Sequence, residues 1–419
     1  MISSSSFQLF FITTLLYGLR AAKTNGSDYC RTGQRCWPGD AEISKFKVSL
    51  TGQIYSAGIT GYKNASYVKN LDYITEPALI VDALNTDDVQ KSIRFARKYH
   101  IQISVLSSGH DYIGRSTGFQ TLMIRMDKMN STSVPRCGAA RSVAMGGWFL
   151  GGGHSALSRK FGLGVDQILS FAAVLADGKK VNVSANGLVY EDGTFSSDTD
   201  LFWALRGGGG VFAMITQFHF QLHPAPEDGF VTLTTSFPWY DAVHGNVGEQ
   251  VLDFWNKLLA SNLTENWGGY VIVYHKNHSH PITKETIRGS VSFALLHYGG
   301  WTEATESIKP LVDFHPEWRK YWLKSVLKDF SSEFYKLGYG VYYNGTDADL
   351  VSWKTEYWGD AHYTRLLAIK RKYDPDRFFT GLHCVSSDLP YTGGALSSFS
   401  SRFSPLFSLL TLLAAFNLY

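Results

Sequence analysis

Three glycine-rich stretches constrain this chain more than any other feature: SSGHDYIGRS at 107–116, GGWFLGGGH at 146–154 and RGGGG at 206–210. Each follows a segment that reads as a strand or a helix. A lone glycine loop is usually a turn and nothing more. Three between positions 107 and 210 point to main-chain amides approaching a ligand. Without side chains, backbone N–H groups reach a pyrophosphate and donate to it. The spacing is neither G-x-G-x-x-G nor G-x-x-x-x-G-K-[ST], so the implied ligand is a long phosphate-bearing cofactor held by another fold.

The segments around these loops support an α/β binding layout. PALIVDAL (77–84) reads as a buried strand. Thr86, Asp87 and Asp88 open a helix with carboxylates at its positive end, and Val89, Ile93 and Ala96 follow at helical spacing. IQISVLSSG (101–109) is the next strand and runs into the first loop. ILSFAAVLADGKKVNVS (168–184) reads as two strands around an Asp-Gly turn, DLFWALR (200–206) as a short helix and VFAMITQFHFQLHP (211–224) as a long strand stopped by proline. From about residue 225 the chain becomes aromatic and β-like in VTLTTSF, GGYVIVYH and GSVSFALLHY, with VGEQVLDFWNKLL helical between them. WKTEYWGDAHYTRLLAIKRKYDPDRFF (353–379) is a charged helix ended by Asp374-Pro375, and its Lys-Arg run around Lys370 reads as a solvated face.

Composition narrows the class. A chain of 419 residues with 44% hydrophobic content supports one large or two medium domains. Net charge is +3 with scattered Lys and Arg, which excludes a nucleic-acid stripe. Forty glycines and 15% aromatics fit a β-rich enzyme better than a helical bundle. Residues 1–22 read as a secretory signal, and 393–419 have the small-residue, spacer and apolar-tail layout of a glycolipid-anchor signal. Sequons at Asn25, Asn64, Asn130, Asn182, Asn262, Asn277 and Asn344 agree with a secreted or cell-surface location. Cys30 and Cys36 are close enough to pair, yet each could pair with Cys137 or Cys384 instead. No C-x-x-C occurs, so no zinc or dithiol site is expected, and His275, His278 and His280 read as a polar loop rather than a metal site.

SSGHDYIGRS, ARSVAMGGWFLGGGHSALSRKFGLGVDQ, ADGKKV, DLFWALRGGGG, YYN and WGDAHYTRLLAIKRKYDPDRFF together resemble the FAD-linked oxidases of the vanillyl-alcohol oxidase, PCMH-type superfamily, in the berberine-bridge-enzyme-like branch. The resemblance implies an α+β fold. A two-lobed FAD-binding domain would occupy 72–224 after an N-terminal segment at 23–71. An antiparallel-sheet substrate domain would follow at 225–340, and a C-terminal segment at 341–388 would return to the FAD domain. His110 becomes the residue bonded to the 8α carbon of the flavin. Ser107, Ser108, Gly109, Asp111, Tyr112, Gly114, Arg115 and Ser116 of the same loop would contact the cofactor. So would Ser142, Val143, Gly146, Gly147, Gly152, Gly153, His154, Gly164 and Val165. His154 either lines the cavity or closes a turn, and Asp166 either nears the cofactor or caps.

Relatives often form a second flavin link through a cysteine where this chain has Ala140; a single link at His110 is expected, with Cys137 as the alternative. In the Y-x-N motif Tyr342 becomes the base that takes a hydroxyl proton and Asn344 its companion, with hydride passing to the flavin and dioxygen leaving as hydrogen peroxide. Tyr342 and Tyr343 would face opposite ways if this stretch is a strand. Asn344 is also a sequon, so either that sequon is unused or the motif assignment fails. The expected substrate is a small alcohol or carbohydrate. Trp239, Trp255 and Trp267 would stack on sugar or lie in a core. Relative to the family, the chain is short near 130–138 and before FHPEWRKYW (314–322). The alternative reading is therefore a glycoprotein with a remnant fold and no activity.

Overall fold

The computed structural model describes residues 29–129, 142–241, 265–274, 289–300, 343–345 and 350–387, with shorter pieces between 245 and 307. Within them lie three main sheets and seven α-helices: α1 (Asp40–Ser49), α2 (Tyr62–Ala65), α3 (Thr86–Lys98), α4 (Met145–Leu150), α5 (Ser158–Phe161), α6 (Asp200–Leu205) and α7 (Trp353–Tyr373). Among the described residues no helix is long and apolar enough to cross a membrane. Cys30 and Cys36 are disulfide-bonded to each other, while Cys384 is free and buried. Cys137 lies outside the described residues.

The first lobe is built on β1 (Ile54–Tyr55), β2 (Leu79–Asp82), β3 (Ile103–Leu106) and β4 (Leu122–Arg125), in the order β1-β2-β4-β3. β2, β4 and β3 run parallel, and β1 is antiparallel at the edge. β2 is apolar without alternation because both its faces are covered. Leu79 and Val81 pack with Val89, Ile93 and Ala96 of α3, whereas Ile80 packs with Ala65 and Val68 on the other side. Asn85 caps α3 by accepting from the Asp88 amide at 2.9 Å. Asp88 does more than sit on the helix dipole. It is fully buried and accepts from the amides of Thr51, Gly52 and Leu84. Gly52 admits no side chain, since a Cβ there would meet the Asp82 carbonyl oxygen at 1.7 Å.

The second lobe is antiparallel: β5 (Ile168–Val174), β6 (Lys180–Ser184), β7 (Gly187–Tyr190), β8 (Phe195–Ser196) and β9 (Met214–Phe220), in the order β8-β7-β6-β5-β9. The turn between β5 and β6 uses Gly178 at φ +81°, while Asp177 accepts from the Lys179 amide at 2.9 Å. β9 covers only the middle of the stretch expected as one long strand; Val211, Phe212 and Ala213 are buried core residues ahead of it.

The third sheet is antiparallel and joins β10 (Phe230–Pro238), β13 (Trp267–Tyr274) and β16 (Ser290–Tyr298) in the order β10-β16-β13. Two short ribbons accompany it, β11 (Tyr240–Asp241) with β12 (Gly245–Asn246) and β14 (His278–Ser279) with β15 (Thr286–Ile287). Alternate residues of β16 are buried, as a sheet with one covered face requires. Val291, Phe293, Leu295 and Trp267 form its own core, with Trp239 and Trp255 packed against it, so these tryptophans serve the core. His278 lies in a ribbon strand, and His275 and His280 fall outside the described residues, as does most of the helix expected at 247–259.

The C-terminal segment joins the core of the first two lobes. Tyr343, Leu350, Trp353, Tyr363, Leu366, Ile369, Phe378 and Phe379 belong to the same buried cluster as α3 and β5. α7 kinks at Gly359, which has φ +70° and ψ 157°. The expectation of a solvated face holds at Arg371 and Lys372 and fails at Lys370. Lys370 is fully buried, and its ammonium donates to Asp374 and to the carbonyls of Val211 and Phe379. Asp374 in turn accepts from the Phe378 and Phe379 amides, both at 2.9 Å. Tertiary packing overrides the charge pattern because the helix end is turned into the core and its amine finds three acceptors there.

Removing one member of this buried pair leaves an uncompensated charge. Asp374→Ala is expected to cost about 3–5 kcal/mol in chemical unfolding. Lys372→Ala, whose side chain is 52% exposed in its pair with Asp198, is expected to cost no more than about 1 kcal/mol.

Candidate active site

The first loop leaves β3 and turns on Gly109 at φ +72° and Gly114 at φ +80°. These two glycines are bare for reasons inside the protein. A Cβ on Gly109 would lie 3.3 Å from Val68 Cα, and the Lys69 amide donates to the Gly109 carbonyl at 2.8 Å. A Cβ on Gly114 would strike Tyr73 at 2.8 Å. Among the described residues, however, the amides of Ser108, Gly109, His110 and Asp111 donate to no protein acceptor. Consecutive amides without partners form a nest suited to an anion.

The His110 ring is anchored at one nitrogen, with Nε2 2.7 Å from Ser142 Oγ. When Nε2 carries the proton and donates to Ser142, the lone pair sits on Nδ1. Burial, and then the charge of Lys69, hold this imidazole below its ordinary pKa, so it is neutral and nucleophilic near pH 7. The second glycine cluster leans on the same loop. Ser108 Oγ accepts from the Ala144 amide at 3.0 Å, and Ser107 Oγ stands 3.2 Å from where a Gly146 Cβ would be. Val143 lies half-buried between these contacts.

The other expected cofactor residues divide. At Gly147, and at Gly207 in the third glycine stretch, an added Cβ would meet no protein atom within 4 Å. Gly152, Gly153, Gly164 and Val165 instead bind one another. The Gly164 amide donates to the Gly153 carbonyl at 2.7 Å and the Val165 amide to the Gly152 carbonyl at 3.0 Å. Trp148 closes this knot, since a Gly164 Cβ would meet its ring at 2.4 Å. Asp111 and Arg115 point their side chains at each other, Arg115 Nε to Asp111 Oδ2 at 2.6 Å. The Tyr112 carbonyl accepts from Asn70 at 2.6 Å, and Ser116 is half-buried beyond.

Tyr343 and Asn344 account for the remaining bare backbone. They lie in a 3-10 turn, Tyr343–Gly345, where strand alternation was expected. Asn344 Nδ2 donates to the Gly147 carbonyl at 3.0 Å, and a Cβ on Gly151 would meet that side chain at 2.3 Å. The sequon nitrogen of Asn344 is thus engaged in packing. Tyr343 lies over Gly209, whose Cβ would fall 2.7 Å from the hydroxyl. That hydroxyl is 3.2 Å from Cys384 Sγ. Burial holds Tyr343 well above the ordinary tyrosine pKa, so it is no proton acceptor. Tyr342, the expected base, lies outside the described residues.

His154 links the second glycine cluster to the third sheet rather than merely closing a turn. Its Nδ1 is 3.3 Å from the Tyr270 hydroxyl on β13, and its carbonyl accepts from Trp148 Nε1 at 3.0 Å. Burial lowers its pKa as well. Asp166 caps: it accepts from the Leu163 amide at 2.9 Å and pairs with Arg206 at 3.2 Å. The sequence reading missed Tyr270, Tyr343 and Cys384 as parts of this region. Only the leftover cysteine and the tyrosine doublet at 342–343 carried a signal.

A family model described as berberine and berberine like matches residues 341–383, and one described as an FAD binding domain matches 77–136. The FAD-linked oxidoreductase ZEB1 of Gibberella zeae is 24% identical over 440 residues, spanning 74% of this chain and 76% of its own length. The glucooligosaccharide oxidase of Sarocladium strictum is 30% identical over 188 residues, 38% of this chain and 36% of its own. The crystal structure of the VAO-type flavoprotein MtVAO615 from Myceliophthora thermophila superposes with a TM-score of 0.65 at 19% identity, covering 88% of this chain and 99% of that one. The nest of amides without a protein acceptor among the described residues and the two-lobed α+β scaffold fit this likeness: the chain carries segments that match an FAD binding domain and a berberine-like C-terminal segment, and it is similar to VAO-type FAD-linked oxidoreductases in sequence and fold.

Proposed function

We propose that this chain oxidises an alcohol or carbohydrate-type substrate with FAD held covalently by His110 and dioxygen as the final acceptor, giving hydrogen peroxide. One observation carries the reading: a neutral imidazole, anchored at one nitrogen by Ser142, stands beside four consecutive amides that have no protein acceptor among the described residues. The amides of Ser108 to Asp111 would hold the pyrophosphate. Gly147 and Gly207 would leave room for the rest of the cofactor. When bound, FAD supplies a two-electron acceptor that dioxygen can reoxidise.

The remaining work falls to the protein. The 3-10 turn at Tyr343 is anchored to the FAD-binding lobes, because Tyr343 is buried and Asn344 is hydrogen-bonded to α4. Tyr342, adjacent in sequence to this anchored turn, would take the substrate hydroxyl proton. The face of the third sheet opposite its core carries Tyr270, Ser290 and Ser292, all half-buried. Hydroxyls on a rigid sheet suit a polyhydroxylated substrate. The likeness to a glucooligosaccharide oxidase supports that class. The Cys30–Cys36 disulfide supports an oxidising, extracellular compartment.

The wild-type chain is expected to keep its flavin absorbance after unfolding, and His110→Ala to lose it while still binding FAD reversibly. Wild type that stays colourless after incubation with FAD would instead mark a remnant fold without a cofactor. Only neutral His110 can attack, and burial holds its folded pKa below the ordinary histidine value. The attachment rate should therefore fall as the solution is acidified, with a midpoint below that of an ordinary histidine, which stopped-time fluorescence of denatured samples measures.

Two glycine substitutions separate cofactor contact from packing. Gly151→Ala strikes Asn344 and is expected to cost about 1–3 kcal/mol of stability, as overpacking does. Gly147→Ala meets no protein atom, so its melting temperature should match wild type while FAD affinity falls.

A further inference from the structure

We infer that Arg115 and Tyr343 form a positioning pair that sets His110 for covalent attachment, so that docking of the C-terminal segment is a precondition for the flavin link. The inference rests on the reading of His110 given above.

Arg115 has an 8% exposed side chain in its pair with Asp111. Asp111 follows His110 directly. Its Oδ1 accepts from the Ile113 and Arg115 amides at 3.1 and 2.7 Å, and its Oδ2 from Arg115 Nε at 2.6 Å. The five residues after His110, Asp111 to Arg115, are thereby closed into one rigid turn. The far side of the same guanidinium meets the C-terminal segment. Nη2 donates to the Tyr343 carbonyl at 3.1 Å, and Cζ stands 4.1 Å from the centre of the Tyr343 ring. Gly381 walls the stem, since a Cβ there would lie 3.1 Å from Arg115 Cγ. One side chain thus ties the residue beside His110 to the residue beside Asn344. Ser142 holds the imidazole from the other direction.

This arrangement controls geometry. In the attachment step an imidazole nitrogen bonds to the 8α carbon. The N–H proton and one 8α hydrogen leave as protons. The electron pair left behind passes through the flavin to dioxygen, which takes up both protons as hydrogen peroxide. Such a step requires the nitrogen close to that carbon and in line with it, and a displacement of about 1 Å costs roughly a hundredfold in rate. Lysine at 115 would keep a positive charge for Asp111. It has no planar fork to serve Asp111 and the Tyr343 carbonyl together, and no guanidinium plane to lie on the ring.

The test compares full-length wild type, Arg115→Lys, Tyr343→Leu and Tyr343→Phe, each purified without flavin and mixed with excess FAD. Intact-protein mass spectrometry after unfolding follows the covalent fraction with time. Absorbance of the folded sample gives total FAD bound, and thermal melting reports the fold. Tyr343→Phe keeps the ring and the carbonyl, so it should attach flavin at the wild-type rate. Arg115→Lys and Tyr343→Leu should attach it at least about tenfold more slowly while binding the same total FAD. If either slow-attachment variant fails to fold, the other decides. Wild-type attachment rates in a folded Arg115→Lys or Tyr343→Leu protein overturn the inference. Wild type that binds FAD only reversibly overturns the His110 reading and this one with it.

Discussion

The seating of Tyr343 and Asn344 in the FAD-binding lobes is the contact on which the rest of this structure depends. Two adjacent side chains at the start of the C-terminal segment touch all three glycine stretches. Asn344 hydrogen-bonds to Gly147 and fills the space over Gly151, Tyr343 covers Gly209, and Arg115 of the first loop lies on the Tyr343 ring. A segment that joins the chain late in the sequence thus becomes part of the core shared by the first two lobes. The buried Lys370–Asp374 pair makes the same point at the far end of α7, where an ammonium gathers carbonyls from Val211 and Phe379.

This contact changes what the glycines mean. Their bareness was read as room for a ligand. At Gly109, Gly114, Gly151, Gly164 and Gly209 it is room for the protein itself, because a Cβ would run into Val68, Tyr73, Asn344, Trp148 or Tyr343. Within these stretches Gly147 and Gly207 have no protein atom where a Cβ would stand. The pyrophosphate argument survives on a narrower basis, the amides of Ser108 to Asp111 that meet no acceptor among the described residues, rather than the number of glycines.

Much of the fold was legible because local and global signals agreed. β2 is short, apolar and covered on both faces, and α3 carries its cap and its apolar stripe in its own sequence. The Asp177-Gly178 turn and the break at Asp374-Pro375 are equally local. What escaped the sequence depends on distant partners. The Asn344–Gly147 contact joins residues 197 positions apart, and no periodicity encodes it. Lys370 sits in a run of like charges that resembles a wet helix face, and only its tertiary acceptors reveal otherwise. His110 stood out because a motif surrounds it, whereas Tyr343 was overshadowed by its neighbour Tyr342.

The central claim is that the loop after β3 holds a flavin by both its amides and its imidazole. Peptide mapping of the purified chain after proteolysis tests this most directly. The account expects the peptide bearing His110 to carry the added mass of FAD, with fragmentation placing it on the imidazole. Recovery of that peptide unmodified, from folded protein saturated with FAD under air, would contradict it.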